Sequence, residues 1–210
     1  AQPAGMFVTS QTGYCALHQR ARLQPGETLL VHAAAGGVGT AAVQLGKAAG
    51  ARVIGTAGGP EKCEVVRGLG VDDVIDYRSE DIVARVKELT GGRGADVIYD
   101  PVGGDVFDAS RRAVAFEGRI LVIGFAGGRI ADAPTNHALV KNYSVVGVHW
   151  GLYRKMRPEL IPQWQEALAQ LWRERKIDPL VGAEYPLTEA KAALKALGSR
   201  GTTGKVVLLP

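Results

Sequence analysis

The sequence predicts an α/β protein, a parallel sheet doubly wound with helices on both faces. Two observations predict it. From residue 28 to residue 148 short apolar runs alternate with helical segments of about ten residues, the rhythm of parallel strands joined by crossover helices. Glycine is abundant, 28 in 210 residues, and it gathers where the apolar runs end, as tight turns and close ligand approach require. No polar linker, internal repeat or low-complexity segment interrupts the alternation, which argues against several small domains.

The elements follow in order. Residues 4–22 read as a helix, with Pro25 and Gly26 as the turn behind it. Residues 28–33 form a short apolar strand, and 38–49 a helix of small residues closed by Gly50. Residues 52–56 form the next strand, and Gly58-Gly59-Pro60 turns the chain into a helix over 60–68. A strand over 73–77 leads to a helix over 81–89, for which Ser79 is the candidate N-cap. Residues 95–100 are a strand, 105–114 a helix, and 119–124 a strand running into Gly124-Phe125-Ala126-Gly127-Gly128. A strand over 144–148 and a long helix over 158–176 follow. The tail differs: strands over 178–187 and 205–209 flank a helix over 188–197, after the alternating unit is complete and with no obvious partner sheet. The expected division is therefore 1–177 and 178–210.

Composition narrows the function classes. Apolar residues make up 46% of the chain, ordinary for a globular core. The net charge of +4 and pI near 9.1 suit an anionic ligand, but no dense basic block predicts nucleic-acid binding. Cys15 and Cys63 are the only cysteines and form neither a disulfide framework nor a zinc cluster. No apolar run reaches the roughly 18 residues of a membrane span, and no signal peptide is visible. The expectation is a cytoplasmic protein without a membrane partner. The chain opens on Ala1 rather than methionine, so the expectation is also of a fragment.

The central motif is Ala33-Ala34-Ala35-Gly36-Gly37-Val38-Gly39, which follows a strand and opens a helix. Aligned to G-x-G-x-x-G it has Ala34 at the first position, then Gly36 for close approach of a pyrophosphate and Gly39 for close helix–strand packing. The helix N-terminus then faces the phosphates. This is a Rossmann-type dinucleotide site; the alternative, a glycine-rich turn without ligand, is disfavoured by the strand before and the helix after. NAD enzymes place Asp or Glu about 20 residues further on, at the end of the second strand. Here that strand runs into Gly55-Thr56-Ala57-Gly58-Gly59-Pro60-Glu61-Lys62, with no acid at its end. Space is left for a 2′-phosphate, and Lys62 offers it a point charge. Glu61 is an objection unless it points away, and Lys62 has the alternative role of a solvated helix residue.

Val31-His32 with the glycine motif resembles the zinc-independent quinone oxidoreductases of the medium-chain dehydrogenase/reductase superfamily. Further matches, in chain order, are Thr12-Gly13-Tyr14, Lys62, Asp76-Tyr77-Arg78, Gly91-Gly92-Arg93-Gly94-Ala95-Asp96-Val97, Tyr99-Asp100-Pro101-Val102-Gly103-Gly104, Gly118-Arg119 and Gly204-Lys205-Val206-Val207. The resemblance covers essentially the whole chain. It implies NADPH as cofactor, held at Ala35, Gly36, Gly37, Val38, Gly39 and Gly58. It implies Lys62 and Tyr77 at the adenosine 2′-phosphate, and Thr12, Val102, Gly103, Gly124, Phe125 and Ala126 near the nicotinamide. Arg200 is a further candidate, with a plain surface arginine as the alternative. Zinc-dependent relatives carry a cysteine ligand four residues before the threonine matching Thr12; here that position is Val8. His18, His32, His137 and His149 show no metal-ligand spacing and read as structural or surface histidines, and the two cysteines as small core residues.

The family begins with a GroES-like β-rich domain that builds half of the substrate cleft, and this sequence begins after nearly all of it. The C-terminal strands normally join that domain, so exposed edges or apolar surface are expected on them. The resemblance implies hydride transfer from NADPH to a quinone or an α,β-unsaturated carbonyl, with the protein supplying position and electrostatics. No catalytic acid or base is evident; Tyr14 would serve only if it faced the nicotinamide, and otherwise packs its helix. The alternatives are an enoyl-thioester reductase domain and a dinucleotide-binding fragment without catalysis. The strand over 144–148 lies at a sheet edge, the place where family members pair into homodimers.

Overall fold

A computed structural model describes residues 2–199 and 201–210, with side chains from Gly5 onward. Six strands form one wholly parallel sheet: β1 (Thr28–Val31), β2 (Arg52–Ala57), β3 (Asp73–Asp76), β4 (Ala95–Asp100), β5 (Val114–Val122) and β6 (Ser144–Gly147). Their spatial order is β3-β2-β1-β4-β5-β6. The first half of the chain winds outward from β1 in one direction and the second half in the other, so the order reverses between β1 and β4. Ligands of such sheets bind in the crevice outside the carboxyl ends of the strands at that reversal.

The period of two along each strand explains why both faces are covered. Leu29, Val31, Val53, Val97, Tyr99 and Leu121 point into one core, while Leu30, Ile54, Ile98 and Ile120 point into the other. On the first face pack α1 (Gln2–Tyr14), α2 (Gly37–Ala48), α3 (Pro60–Gly68) and α8 (Leu160–Arg173), through residues such as Val43, Leu45, Val66 and Leu168. On the second pack α4 (Ile82–Leu89) and α5 (Gly104–Ala113), through Val86 and Phe107.

Several elements differ from the sequence expectation. The helix expected over 4–22 is α-helical only to Tyr14 and widens into a π-helical turn over Cys15–Arg20 that carries Cys15, Ala16 and Leu17 into the core. The N-cap of α4 is Asp81, whose Oδ1 accepts from the Ala84 amide at 2.7 Å, and not Ser79. Strand β5 opens at Val114, which pairs with Ala95 before the chain bulges and re-enters register with Arg119 opposite Val97. The long helix expected over 158–176 is α8 alone, preceded by a separate α7 (Trp150–Met156). Helix α6 (Thr135–Lys141) was not anticipated; it buries no residue, so no apolar periodicity marks it.

The tail does not wait for an outside sheet. Strands β7 (Val181–Pro186) and β8 (Lys205–Leu209), joined by α9 (Ala190–Gly198), pair parallel with each other, Val181 opposite Lys205 and Tyr185 opposite Leu208. Hydrogen bonds at two places help hold this unit to α2 and the loop before it. Gln44 and the Asp178 backbone exchange two hydrogen bonds of 2.7 Å, and Gly204 forms a parallel bridge with Gly36, its amide donating to the Ala35 carbonyl at 2.8 Å. Leu187, Leu194, Leu197, Leu208 and Leu209 stay exposed.

Candidate functional site

Every loop that leaves the carboxyl end of a strand in the large sheet opens at the same edge, because all six strands are parallel. At the reversal between β1 and β4 these loops enclose a crevice of about 270 Å³. Its floor is the loop from Ala33 to the first turn of α2. Ala33 sits in the left-handed region at φ 49°, an uncommon backbone for a residue with a Cβ, and turns the chain out of β1. Gly36 follows in extended conformation, φ −83°, and no side chain caps α2. An uncapped helix start offers its first amides to an anion.

The glycines of this loop divide by what a Cβ would meet. At Gly39 it would lie 2.2 Å from the Ala33 carbonyl oxygen and 2.8 Å from the Ala34 Cα, so the helix packs on its own strand exit with no room for a methyl. At Gly36 it would meet only the Ala33 oxygen, at 3.3 Å. That contact is tight but tolerable, so the fold itself does not demand a glycine there.

The second wall comes from the exits of β2 and β3. Gly58 lies under the Tyr77 ring, whose hydroxyl would be 2.4 Å from a Cβ at that position. Asp76 at the end of β3 fixes the turn: its Oδ1 accepts from the amides of Gly59 at 2.9 Å and Arg78 at 3.0 Å. These two hydrogen bonds hold the Asp76 carboxyl below the usual carboxylate range. Lys62, on the first turn of α3, lines the crevice beside Gly58 and Tyr77. Glu61 is exposed and does not line it.

Behind the third wall, Asp100 ends β4 almost wholly buried, and its Oδ1 accepts from the amides of Val102 at 2.8 Å and Gly103 at 2.9 Å. Val102 lines the crevice, with Ala126 and Gly127 from the exit of β5. Phe125 packs toward Gly103, 2.9 Å from the place of a Cβ there.

The structure thus brings Ala35, Gly36, Gly37, Gly58, Lys62, Tyr77, Val102 and Ala126 around one cavity. Gly39, Val38, Gly103, Gly124 and Phe125 are not among its lining residues and belong to the packing of the same loops. Thr12 is not among them either; its hydroxyl donates to the Val8 carbonyl within α1 at 2.7 Å. Arg200 lies outside the described residues. Sequence reasoning missed Leu197, Thr202 and Gly204, which close the crevice from the C-terminal unit. The Gly204-Lys205 pair was visible as a motif, but only the bridge to Gly36 reveals which loop it approaches.

The other chemistry-bearing residues lie away from the crevice. Cys15 and Cys63 are buried, and burial pushes the Cys15 thiol up to about 11. Tyr14 packs with tilted ring planes against His18 and Trp164. Among the described residues no group of three or more His, Cys, Asp or Glu is placed to hold a metal ion, and no helix is long and apolar enough to cross a membrane. A dinucleotide fits: Gly36, Gly37 and Gly58 line the crevice, and it ends on an uncapped helix start.

Comparison with known proteins agrees with this geometry. The family model described as zinc-binding dehydrogenase matches residues 37–172. The chain is 41% identical over 209 residues to quinone oxidoreductase-like protein 2 homolog of Nematostella vectensis, covering 99% of this chain and 57% of that protein. The Escherichia coli quinone oxidoreductase complexed with NADPH superimposes with a TM-score of 0.91 at 34% identity, over 100% of this chain and 65% of that one. The CurK enoyl reductase superimposes with a TM-score of 0.88 at 32% identity, over 100% and 63%. The chain spans about 60% of the length of the curated relatives it matches.

Proposed function

The chain belongs to the zinc-binding dehydrogenase family, within the medium-chain dehydrogenase/reductase superfamily, and on that premise we propose that it is the cofactor-binding part of an NADPH-dependent, zinc-independent oxidoreductase acting on a quinone or an α,β-unsaturated carbonyl. One observation carries the cofactor choice. The crevice edge at the exit of β2 holds Gly58, Lys62 and Tyr77 and no carboxylate. An acid there would hydrogen-bond a ribose 2′-hydroxyl, whereas an ammonium and a phenol favour a 2′-phosphate.

When bound, NADPH supplies a hydride, and the chain's residues supply its place. Residues 35–39 receive the pyrophosphate on backbone amides at the start of α2. Lys62 and Tyr77 bracket the 2′-phosphate. Val102, Gly103 and the loop of Gly124, Phe125 and Ala126 lie along the nicotinamide end, with Thr12 near it. Zinc independence rests on Val8 in the place of a cysteine ligand and on the lack of a ligand cluster among the described residues. Edge strand β6 pairs only with β5 and leaves Val145 39% exposed, which supports a homodimer formed edge to edge.

Calorimetric titration tests the reading. The wild-type chain is expected to bind NADPH more tightly than NADH. Lys62→Ala is expected to weaken NADPH by about tenfold, one charge-assisted hydrogen bond, and to leave NADH unchanged. Equal affinity for the two cofactors in the wild type overturns it. The similarity to CurK favours a second reading, an enoyl-thioester reductase. NADPH oxidation with a quinone against a 2-enoyl thioester separates the two, and tight binding with turnover of neither indicates a dinucleotide-binding unit.

A further inference from the structure

One buried polar cluster centres on His32 and extends to Asp100, whose contacts with the Val102 and Gly103 amides are given above. His32 is 1% exposed, Thr56 1%, Ser110 0% and Asp100 2%. His32 is the residue between β1 and the left-handed Ala33, where the phosphate loop begins. Its Nδ1 lies 3.2 Å from Thr56 Oγ1 on β2, close before the Gly58 turn. Its Nε2 lies 2.9 Å from Ser110 Oγ on α5, the helix that begins at Gly104 behind the Val102–Gly103 loop. One imidazole therefore links the ends of β1 and β2 to α5, the helix that follows the Val102–Gly103 loop.

The proton count fixes how it does so. The Ser110 hydroxyl donates to the Val106 carbonyl at 2.8 Å, which uses its only proton. Ser110 Oγ must then accept from His32, so Nε2 carries the ring proton. Nδ1 is left as an acceptor for the Thr56 hydroxyl. Ring, serine and threonine are all satisfied in one arrangement only. Burial pushes the His32 pKa down to about 4, against the opposing pull of Asp100, so the neutral ring persists near pH 7.

We propose that His32 is a positioning residue for the dinucleotide: as a neutral Nε2–H imidazole it locks the exits of β1 and β2 to helix α5 and so holds the phosphate loop, the ribose turn and the nicotinamide-side loop in one binding geometry. The affinity part of this proposal rests on the NADPH reading above. A fully satisfied buried network specifies one arrangement of the elements it joins, and an interrupted one leaves buried donors and acceptors unpaired.

Calorimetry on the folded 210-residue chain gives the test, with NADPH as the probe. His32→Leu keeps the bulk and removes both hydrogen bonds; it is expected to weaken NADPH about tenfold or more. His32→Gln returns an amide donor toward Ser110 and is expected to recover most of that affinity. Ser110→Ala removes only the acceptor and is expected to weaken binding in the wild type but to add nothing in the His32→Leu background. A packing role alone would favour leucine over glutamine, so wild-type affinity in His32→Leu, or a His32→Gln variant no better than His32→Leu, overturns the proposal. A readout without cofactor stands beside these. Nitrogen-15 NMR of the His32 ring is expected to show Nε2 protonated and Nδ1 bare from about pH 5 to 8. An Nδ1–H tautomer or an imidazolium in that range overturns the network itself. Failure of the wild type to bind NADPH fails the functional reading and the affinity claim with it, whereas the NMR result decides the network independently.

Discussion

The six-stranded sheet and the β7–β8 pair are built by the same rule, a helix that returns the chain so that the next strand lies parallel, yet they end in different physical states. β1 and β4 are paired on both edges and covered on both faces; all four residues of β1 are buried. β7 alternates half-buried and exposed residues, β8 has one buried residue, and each pairs with the other along one edge. Local preference builds a strand in either case, but only neighbours on every side turn it into a core. The crevice is made from both: a floor anchored in the closed sheet and a wall of Leu197, Thr202 and Gly204 carried by the open pair.

The largest effect should separate the two regions directly. Leu30→Ala removes a side chain with no exposed surface between β2 and β4 and is expected to cost about 2–5 kcal/mol in urea unfolding. Leu208→Ala, 38% exposed on β8, is expected to cost less than about 1 kcal/mol. Similar losses at both sites would break the comparison.

Next comes the loop where the two regions meet. Gly39→Ala forces a methyl against the Ala33 carbonyl and is expected to destabilise the fold by about 1–3 kcal/mol. Gly36→Ala meets less obstruction in an ordinary extended backbone, so stability is expected to stay within about 0.5 kcal/mol. On the proposed reading, NADPH affinity, read by calorimetry, is expected to fall about tenfold, the methyl then standing in the path of the pyrophosphate. A Gly36→Ala chain that unfolds early but binds normally would reverse the two roles.

The smallest effect concerns the β3 exit. The Asp76 carboxyl is held below its unfolded value by the Gly59 and Arg78 amides. A carboxyl depressed in the folded state binds fewer protons than in the unfolded one, so its contribution is complete above the unfolded value near 4 and disappears as pH falls through the folded one. Asp76→Asn should therefore flatten the acid side of the stability profile slightly and leave stability above pH 6 lowered by a small constant. A profile unchanged below about pH 4 would remove Asp76 as the anchor of the turn at Gly59.

Much of this was legible in the sequence. Two periods of hydrophobicity, punctuated by glycine, located the six strands of the large sheet and most of its helices. The motif at residues 33–39 placed the crevice, and the acid-free exit of β2 marked Gly58 and Lys62. The signal failed where burial was absent or conformation was decided by neighbours. Helix α6 buries nothing and left no pattern, and the π turn at Cys15–Arg20 is dictated by the core it enters. Asp81 and Ser79 are both good capping residues by type, and the geometry of the β3–α4 turn chose between them. His32 read as a structural or surface histidine because residue type does not reveal partners at 56 and 110.

By itself the sequence determined the fold class, the glycine loop at the crevice floor and the lack of an acid at the exit of β2. All three depend on residue types at short range: alternation along a strand, glycine at a turn, an acid present or absent. The tertiary structure alone decided that β7 and β8 pair with each other, that Gly204 reaches Gly36, and that His32 ties three elements together. Those outcomes depend on contacts between residues far apart in the chain, 168 positions for Gly36 and Gly204, and no local preference encodes which distant groups will complete a buried hydrogen bond or a strand edge.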